Sequence, residues 1–396
     1  MGKRKFLFIG FGTVIEHLEN VLFGLYAPLL AVYFFNPVNR DQSWLIGLMS
    51  FSLYFLVRPL GAVIFGRIGD NYGRKSALVA SIGLMTLGTL GIGLTPSYES
   101  MGVAASFLFL SLRLVQGLSV GGEYSTAMTY VFESTSKNRQ TFYGSLLIAS
   151  THVGGMIAAS LAYTHPTNFK TVFVILGLMG LTLFGMRLSL TGSPNEEAVF
   201  QEPVKPQKSV AYLRIFLLSM ALIFLFYTVT IYFNKIYSVQ FALSNQQTYL
   251  INFYLLATWA LLTPLVGYLI DLRKLDPNRV MRLSCYFSMT VGLPLLFVAA
   301  RYPHFYLFLL AQIALTIAHI LFCAPTPVII CRFFKFDKRN THVGLSYGIG
   351  TSIAALLLPL NDYFYNIYRI DGVIALLFIF ILLGFFSTFP LSSSHE

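Results

Sequence analysis

Charge is what this chain of 396 residues has least of. Only 11% of it is Asp, Glu, Lys or Arg, where a soluble domain has about 25%. So few charges cannot cover a water-facing surface, which excludes an ordinary soluble protein. Cysteine is scarce too. Cys285, Cys323 and Cys331 sit in apolar settings; this excludes a disulfide framework, and no Cys/His spacing of the metal-binding kind occurs. Neither a metal nor a cofactor is expected. No catalytic dyad stands out, so enzyme chemistry is not expected either. Polar stretches are missing as well, except between about Thr191 and Ala211.

What fills their place is apolar sequence, 56% hydrophobic with a mean hydropathy of +0.69. A spanning helix takes about 20 mostly apolar residues. Twelve stretches qualify, at roughly 7–35, 44–65, 76–95, 102–131, 142–163, 170–190, 212–238, 247–270, 283–300, 305–330, 343–365 and 372–390. The opening MGKRK with its apolar run is too long for a signal peptide, carries glutamates and lacks a small-residue cleavage site, so a retained first helix is expected. The polar segment holds SPNEEAVFQEPVKPQKS and divides the twelve into six and six. The expected architecture is an all-α membrane protein, with a six-helix bundle over 1–190, a linker over 191–211 and a second bundle over 212–396.

Lys and Arg set the orientation. With the N-terminus inside, twenty of them fall in inner segments and four (Arg40, Lys170, Arg301, Arg369) in outer ones. Both termini are therefore expected in the cytoplasm. The net charge of +11 is then a topology signal, and nucleic acid is not an expected partner. Arg58, Arg113 and Lys235 remain within spans. Two six-helix halves fit a transporter whose substrate site lies between them, although a channel or membrane enzyme can also have twelve helices.

The stretch IEHLEN (15–20) places Glu16, His17 and Glu19 inside the first apolar run. A charge at mid-bilayer costs about 2.5–3.5 kcal/mol, so two glutamates cost about 5–7 unless protonated, paired or facing water. At i and i+3 they share one helix face. Either they carry a proton that is gained and lost during transport, or they are held in a static salt bridge to Arg113. In span 4, RLVQGLSVGGEYSTA (113–127) sets Arg113 near mid-membrane and Glu123 ten residues on, about 15 Å further along the helix. Gly117, Gly121 and Gly122 thin one face for close helix packing.

Between spans 2 and 3 stands FGRIGDNYGRKSAL (65–78). Gly66, Gly69 and Gly73 allow tight turns and close approach. Asp70 can meet a helix N-terminus or a neighbouring arginine, and Arg74 and Lys75 supply positive charge. With RPLG (58–61) upstream, this pattern resembles the signature loop of the major facilitator superfamily. The resemblance implies a conformational latch in which Asp70 and Arg74 clamp helix ends and Gly66 packs closely. Asn71 replaces the family's usual Arg. GYLIDLRKLDPNR (267–279) is a degenerate second copy that keeps Gly267 and Asp271. Arg113, Gln116 and Gly117 match the superfamily's fourth-helix motif, and with SVGGEY and IGLTPSYE they resemble the metabolite:proton symporters of proline/betaine, citrate, α-ketoglutarate and shikimate. In that family's first-helix run, Glu16 matches a Glu and Glu19 stands where an Asp would be, while His17 and Asn20 replace aromatics.

The resemblance implies alternating access in a bacterial inner membrane, and a monomer that takes up a small zwitterion or carboxylate with H+. Glu16, Glu19, Arg113 and Glu123 are the expected proton-coupling groups. His17, Asn20, Tyr26, Gln116, His152, Tyr227 and Lys235 are candidate substrate contacts. For Lys235, snorkelling to the interface competes with that role; for His152, plain packing does. Gly66, Asp70, Arg74, Lys75 and Asp271 are the expected gating residues. An organic-acid symporter, an efflux antiporter and a non-transporting sensor are the competing readings.

Overall fold

The computed structural model describes residues 3–36, 40–189 and 208–389. These fold into helices without strands, and twelve are long and apolar enough to cross a bilayer: Phe6–Phe35, Leu45–Tyr72, Arg74–Leu94, Val103–Glu133, Lys137–Thr164, Phe169–Leu188, Val210–Gln240, Asn245–Leu272, Pro277–Arg301, Phe305–Arg332, Phe336–Tyr368 and Ile370–Ser387. They are called spans 1 to 12 below. Each matches one of the twelve stretches expected. Most of the linker expected at 191–211 lies outside the described residues; the seventh helix begins at Lys208. Large apolar side chains such as Leu94, Leu261 and Leu283 are exposed on the outside, as a lipid-facing surface requires.

Several spans are broken where sequence chemistry breaks them. Span 2 restarts at Arg58 with Pro59 in its first turn, a position that tolerates a missing N–H. Span 7 carries a π-helical turn at Thr228–Tyr232, and span 9 carries one at Ser288–Gly292 just before Pro294. Span 11 restarts at Pro359.

Two six-helix bundles result. Spans 2 and 4 touch backbone to backbone. A Cβ on Gly61 would lie 1.9 Å from the Leu118 carbonyl oxygen, and one on Gly121 would lie 2.1 Å from that of Arg58. The halves meet mainly through span 5 against span 8 and span 2 against span 11. With twelve spans, the start of span 1 and the end of span 12 lie on one face, called the terminal face. Of the cations assigned to inner segments, Arg74, Arg187, Arg214 and Arg339 are buried in the protein. Side-chain and carbonyl partners within and between the bundles hold them.

Candidate functional site

Span 1 runs through the first bundle and carries Glu16, His17, Glu19 and Asn20, which meet different partners. Glu19 turns to spans 3 and 4. Thr89 Oγ1 donates to its Oε2 at 2.6 Å, and Gln116 Nε2 lies 3.4 Å from the same oxygen. Gln116 also donates to Thr89 at 2.9 Å and accepts from Arg113 Nη1 at 2.6 Å. Arg113 and Glu19 are thus joined through an amide, and among the described residues Arg113 makes no direct ion pair. Its guanidinium lies over aromatic rings instead, 3.6 Å from the Phe23 centroid and 4.5 Å from that of Tyr54, where cation–π attraction replaces part of its hydration.

Glu123 is committed elsewhere. Both its oxygens accept from Arg187, with Ser81 Oγ donating at 2.6 Å. This pair is fully buried and ties span 4 to spans 3 and 6. Sequence reasoning missed Arg187 because it sits at the last turn of span 6, where an interfacial cation is the default expectation. Glu16 differs from both other acids. It is buried, and its Oε2 has no hydrogen-bond partner. Among the described residues it makes no ion pair with a Lys or Arg.

Between the halves lies a cavity of about 40 Å³. That volume admits a water or two but no amino acid, so the halves are closed around it. His17 and His152 line it from the first bundle, and Phe226, His319 and Tyr347 from the second. No Asp, Glu, Lys or Arg lines it among the described residues. The carboxylates of span 1 therefore sit beside the cavity, within the first bundle, and not on its wall. Asn20 crosses the interface to donate to the Tyr227 hydroxyl. Phe226 and Trp259 went unnoticed in the sequence because their apolar segments give no local sign of which face meets the other half.

Three expected site residues are not brought here. Tyr26 donates to the His165 carbonyl at 2.6 Å, at the face opposite the termini. Lys235 pairs with Asp362 inside the second bundle. Lys75 donates to the Leu188 carbonyl at 2.7 Å, outside the inter-half contact.

The terminal face is closed by two equivalent devices. Asp70 accepts from the Thr341 amide (3.0 Å) and hydroxyl (2.5 Å) and from the Asn340 amide (3.3 Å) at the start of span 11's helix. Arg74 binds Asp70 at 2.9 Å and Glu133 at 3.2 Å, and Arg339 reaches the same glutamate at 3.0 Å. Gly66 lets this contact form: a Cβ there would lie 2.8 Å from Thr341 Cα. In the second half, Asp271 accepts from the Phe142 amide at 2.8 Å at the start of span 5's helix, and a Cβ on Gly267 would lie 2.9 Å from the Thr141 carbonyl oxygen. Phe142 and Thr341 are each the third residue of their helices, where a carboxylate meets free N–H groups and the positive end of the dipole. On the opposite face, Tyr249 donates to the Leu25 carbonyl at 3.1 Å across the halves.

The profile described as Major Facilitator Superfamily matches residues 9–359. A protein of Staphylococcus aureus (strain COL) named "Putative proline/betaine transporter" is 37% identical over 249 residues, covering 59% of this chain and 52% of that one, so the chain spans about half of that relative's length. The alpha-ketoglutarate permease of Escherichia coli (strain K12) is 27% identical over 362 residues, covering 86% of this chain and 82% of its own. Among solved structures, the proton:xylose symporter XylE superposes with a TM-score of 0.79 at 12% identity, over 97% of this chain and 94% of that one. The human organic anion transporter MFSD10 does so at 0.73 and 15%, over 98% and 100%. At these identities the structural likeness is one of fold alone.

Proposed function

Because the chain belongs to the major facilitator superfamily, we propose that it is a proton-coupled symporter, carrying a small zwitterionic or carboxylate metabolite together with H+ by alternating access. In this reading the bundles over 1–190 and 212–396, joined by the 191–211 linker, rock about the central cavity. The twenty-to-four bias of Lys and Arg puts the terminal face in the cytoplasm of a bacterial cell whose inner membrane holds the monomer. Proline or betaine is the first substrate choice, in line with the name of the staphylococcal relative. A dicarboxylate is the second, since the match to the alpha-ketoglutarate permease extends over 86% of the chain.

The observation that carries proton coupling is Glu16. It is a buried carboxylate in an apolar span, beside the inter-half cavity, with an oxygen that no protein donor occupies. Glu19 is the second carrier, its hydrogen bonding tuned by Arg113 through Gln116. Glu123 has its acceptors filled by Arg187 and Ser81, so it anchors helices instead of exchanging protons. Asp70, Arg74 and Asp271 hold the terminal face shut until the substrate-loaded halves rock.

Reconstitution in liposomes tests this. An inward pH gradient is expected to drive accumulation of labelled proline, betaine or α-ketoglutarate. Glu16→Gln is expected to abolish accumulation while sparing exchange across equal concentrations. Uptake indifferent to the gradient sinks the coupling, and wild-type accumulation in Glu16→Gln removes that residue from it.

A further inference from the structure

Four ring systems that proton coupling does not use cluster between the halves: His17 of span 1, His152 of span 5 and His319 of span 10 line the central cavity, and Trp259 of span 8 packs against His152 and His319. Phe226 of span 7 is their common neighbour, its centroid 6.1, 5.5, 5.4 and 6.0 Å from theirs in that order. His152 stacks on Trp259 at 5.4 Å and 24°, and His319 meets the same indole edge-on at 5.6 Å. Buried polar atoms ordinarily find partners. Here Nδ1 of His17, both ring nitrogens of His152, Nδ1 of His319 and Nε1 of Trp259 have none. Nε2 of His319 is engaged, donating to the Leu222 carbonyl at 2.9 Å.

The donor set indicates what these atoms suit. An indole N–H can only donate, and each neutral imidazole has one N–H to give. With no acidic side chain on the cavity wall among the described residues, a primary ammonium would find no ionic partner. The opposite sign is provided for: Tyr347, on the wall, has the guanidinium of Arg58 5.7 Å from its ring centroid. Convergent neutral donors with a cation one ring away suit an oxygen anion.

We propose that His17, His152 and Trp259, with His319 packed against them, receive the carboxylate of the transported solute, and that Phe226 holds the rings in register. The site rests on the transport reading above but concerns binding alone. The site also makes recognition depend on closure. His17 and His152 belong to the first bundle and Trp259 to the second, so these donors converge only when the halves meet. A carboxylate held among them joins the halves.

The test is ligand binding to the purified full-length protein, by thermal shift and calorimetry. The probes are paired to differ at the carboxylate: glycine betaine against choline, and proline against pyrrolidine. At least one carboxylate probe is expected to bind while its carboxylate-free counterpart does not. Trp259→Phe keeps the ring stack and removes only the N–H; it is expected to weaken binding tenfold or more while ligand-free unfolding stays cooperative. His152→Phe is expected to do the same; should it fail to fold, Trp259→Phe decides. Wild-type affinity in Trp259→Phe overturns the proposal, as does equal binding within each pair or no binding of either carboxylate. Failure of the transport reading looks different: carboxylates bind and the variants lose them, yet liposomes accumulate nothing.

Discussion

Glu123, Glu19 and Glu16, all buried in the first bundle, have three different surroundings. Glu123 is saturated by Arg187 and Ser81, Glu19 shares an amide-linked network with Arg113, and Glu16 keeps an oxygen free. A fully buried pair is costly to break singly, because the remaining charge is stranded. Glu123→Gln is therefore expected to destabilise the protein by about 3–5 kcal/mol, and the double change Glu123→Leu with Arg187→Met to recover most of that loss. Thermal unfolding in detergent checks both, and an unrecovered double variant would mean that the pair is not the source. The presence of acids in spans 1 and 4 was legible from the sequence. Which acid pairs with which cation was not, since Arg187 lies 64 positions from Glu123 and approaches it only through the packing of span 6 on spans 3 and 4.

Helices 2 and 4 are set by the size of single side chains. Gly121 faces the Arg58 carbonyl oxygen so closely that a Cβ would lie 2.1 Å from it, whereas a Cβ on Gly185 meets nothing within 4 Å. Gly121→Ala is expected to force the two helices apart at a cost of about 1–3 kcal/mol. Gly185→Ala is expected to be neutral or to stabilise by up to about 1 kcal/mol through helix propensity. Melting temperatures of the two variants should move in different directions; equal shifts would contradict the backbone contact. The run of glycines at 117, 121 and 122 announced a thinned face in the sequence. The helix that fills it was not announced, because glycine spacing carries no address.

Closure of the whole molecule at the terminal face rests on Asp70 and Asp271, each capping a helix of the opposite half. Hydrogen bonds to a charged acceptor are worth about 1.5–3 kcal/mol, roughly ten- to a hundredfold in a two-state ratio. Asp70→Asn is expected to shift the molecule toward opening at this face, and the addition of Asp271→Asn to shift it further. Spin labels at the exposed positions 137 and 338, in equivalent loops of the two halves, should report a longer distance population in the variants. Unchanged distances would mean that these carboxylates do not hold the face shut. The degenerate second loop, which kept only Gly267 and Asp271 of the pattern, still makes the amide contact. Those two residues suffice for it because one supplies clearance and the other an acceptor.

By itself, the sequence determined the class of molecule, the twelve spans and the location of the inter-half loops. It could do so because bilayer thickness and the cost of buried charge act on short contiguous stretches, and the pattern is written locally. Only the tertiary structure decided that Arg187 and not Arg113 binds Glu123, that Lys235 answers Asp362, and that the cavity wall carries histidines in place of the carboxylates. Those outcomes depend on the rotation of each helix about its axis and on which helices become neighbours. Both are fixed by side-chain packing among residues dozens to hundreds of positions apart.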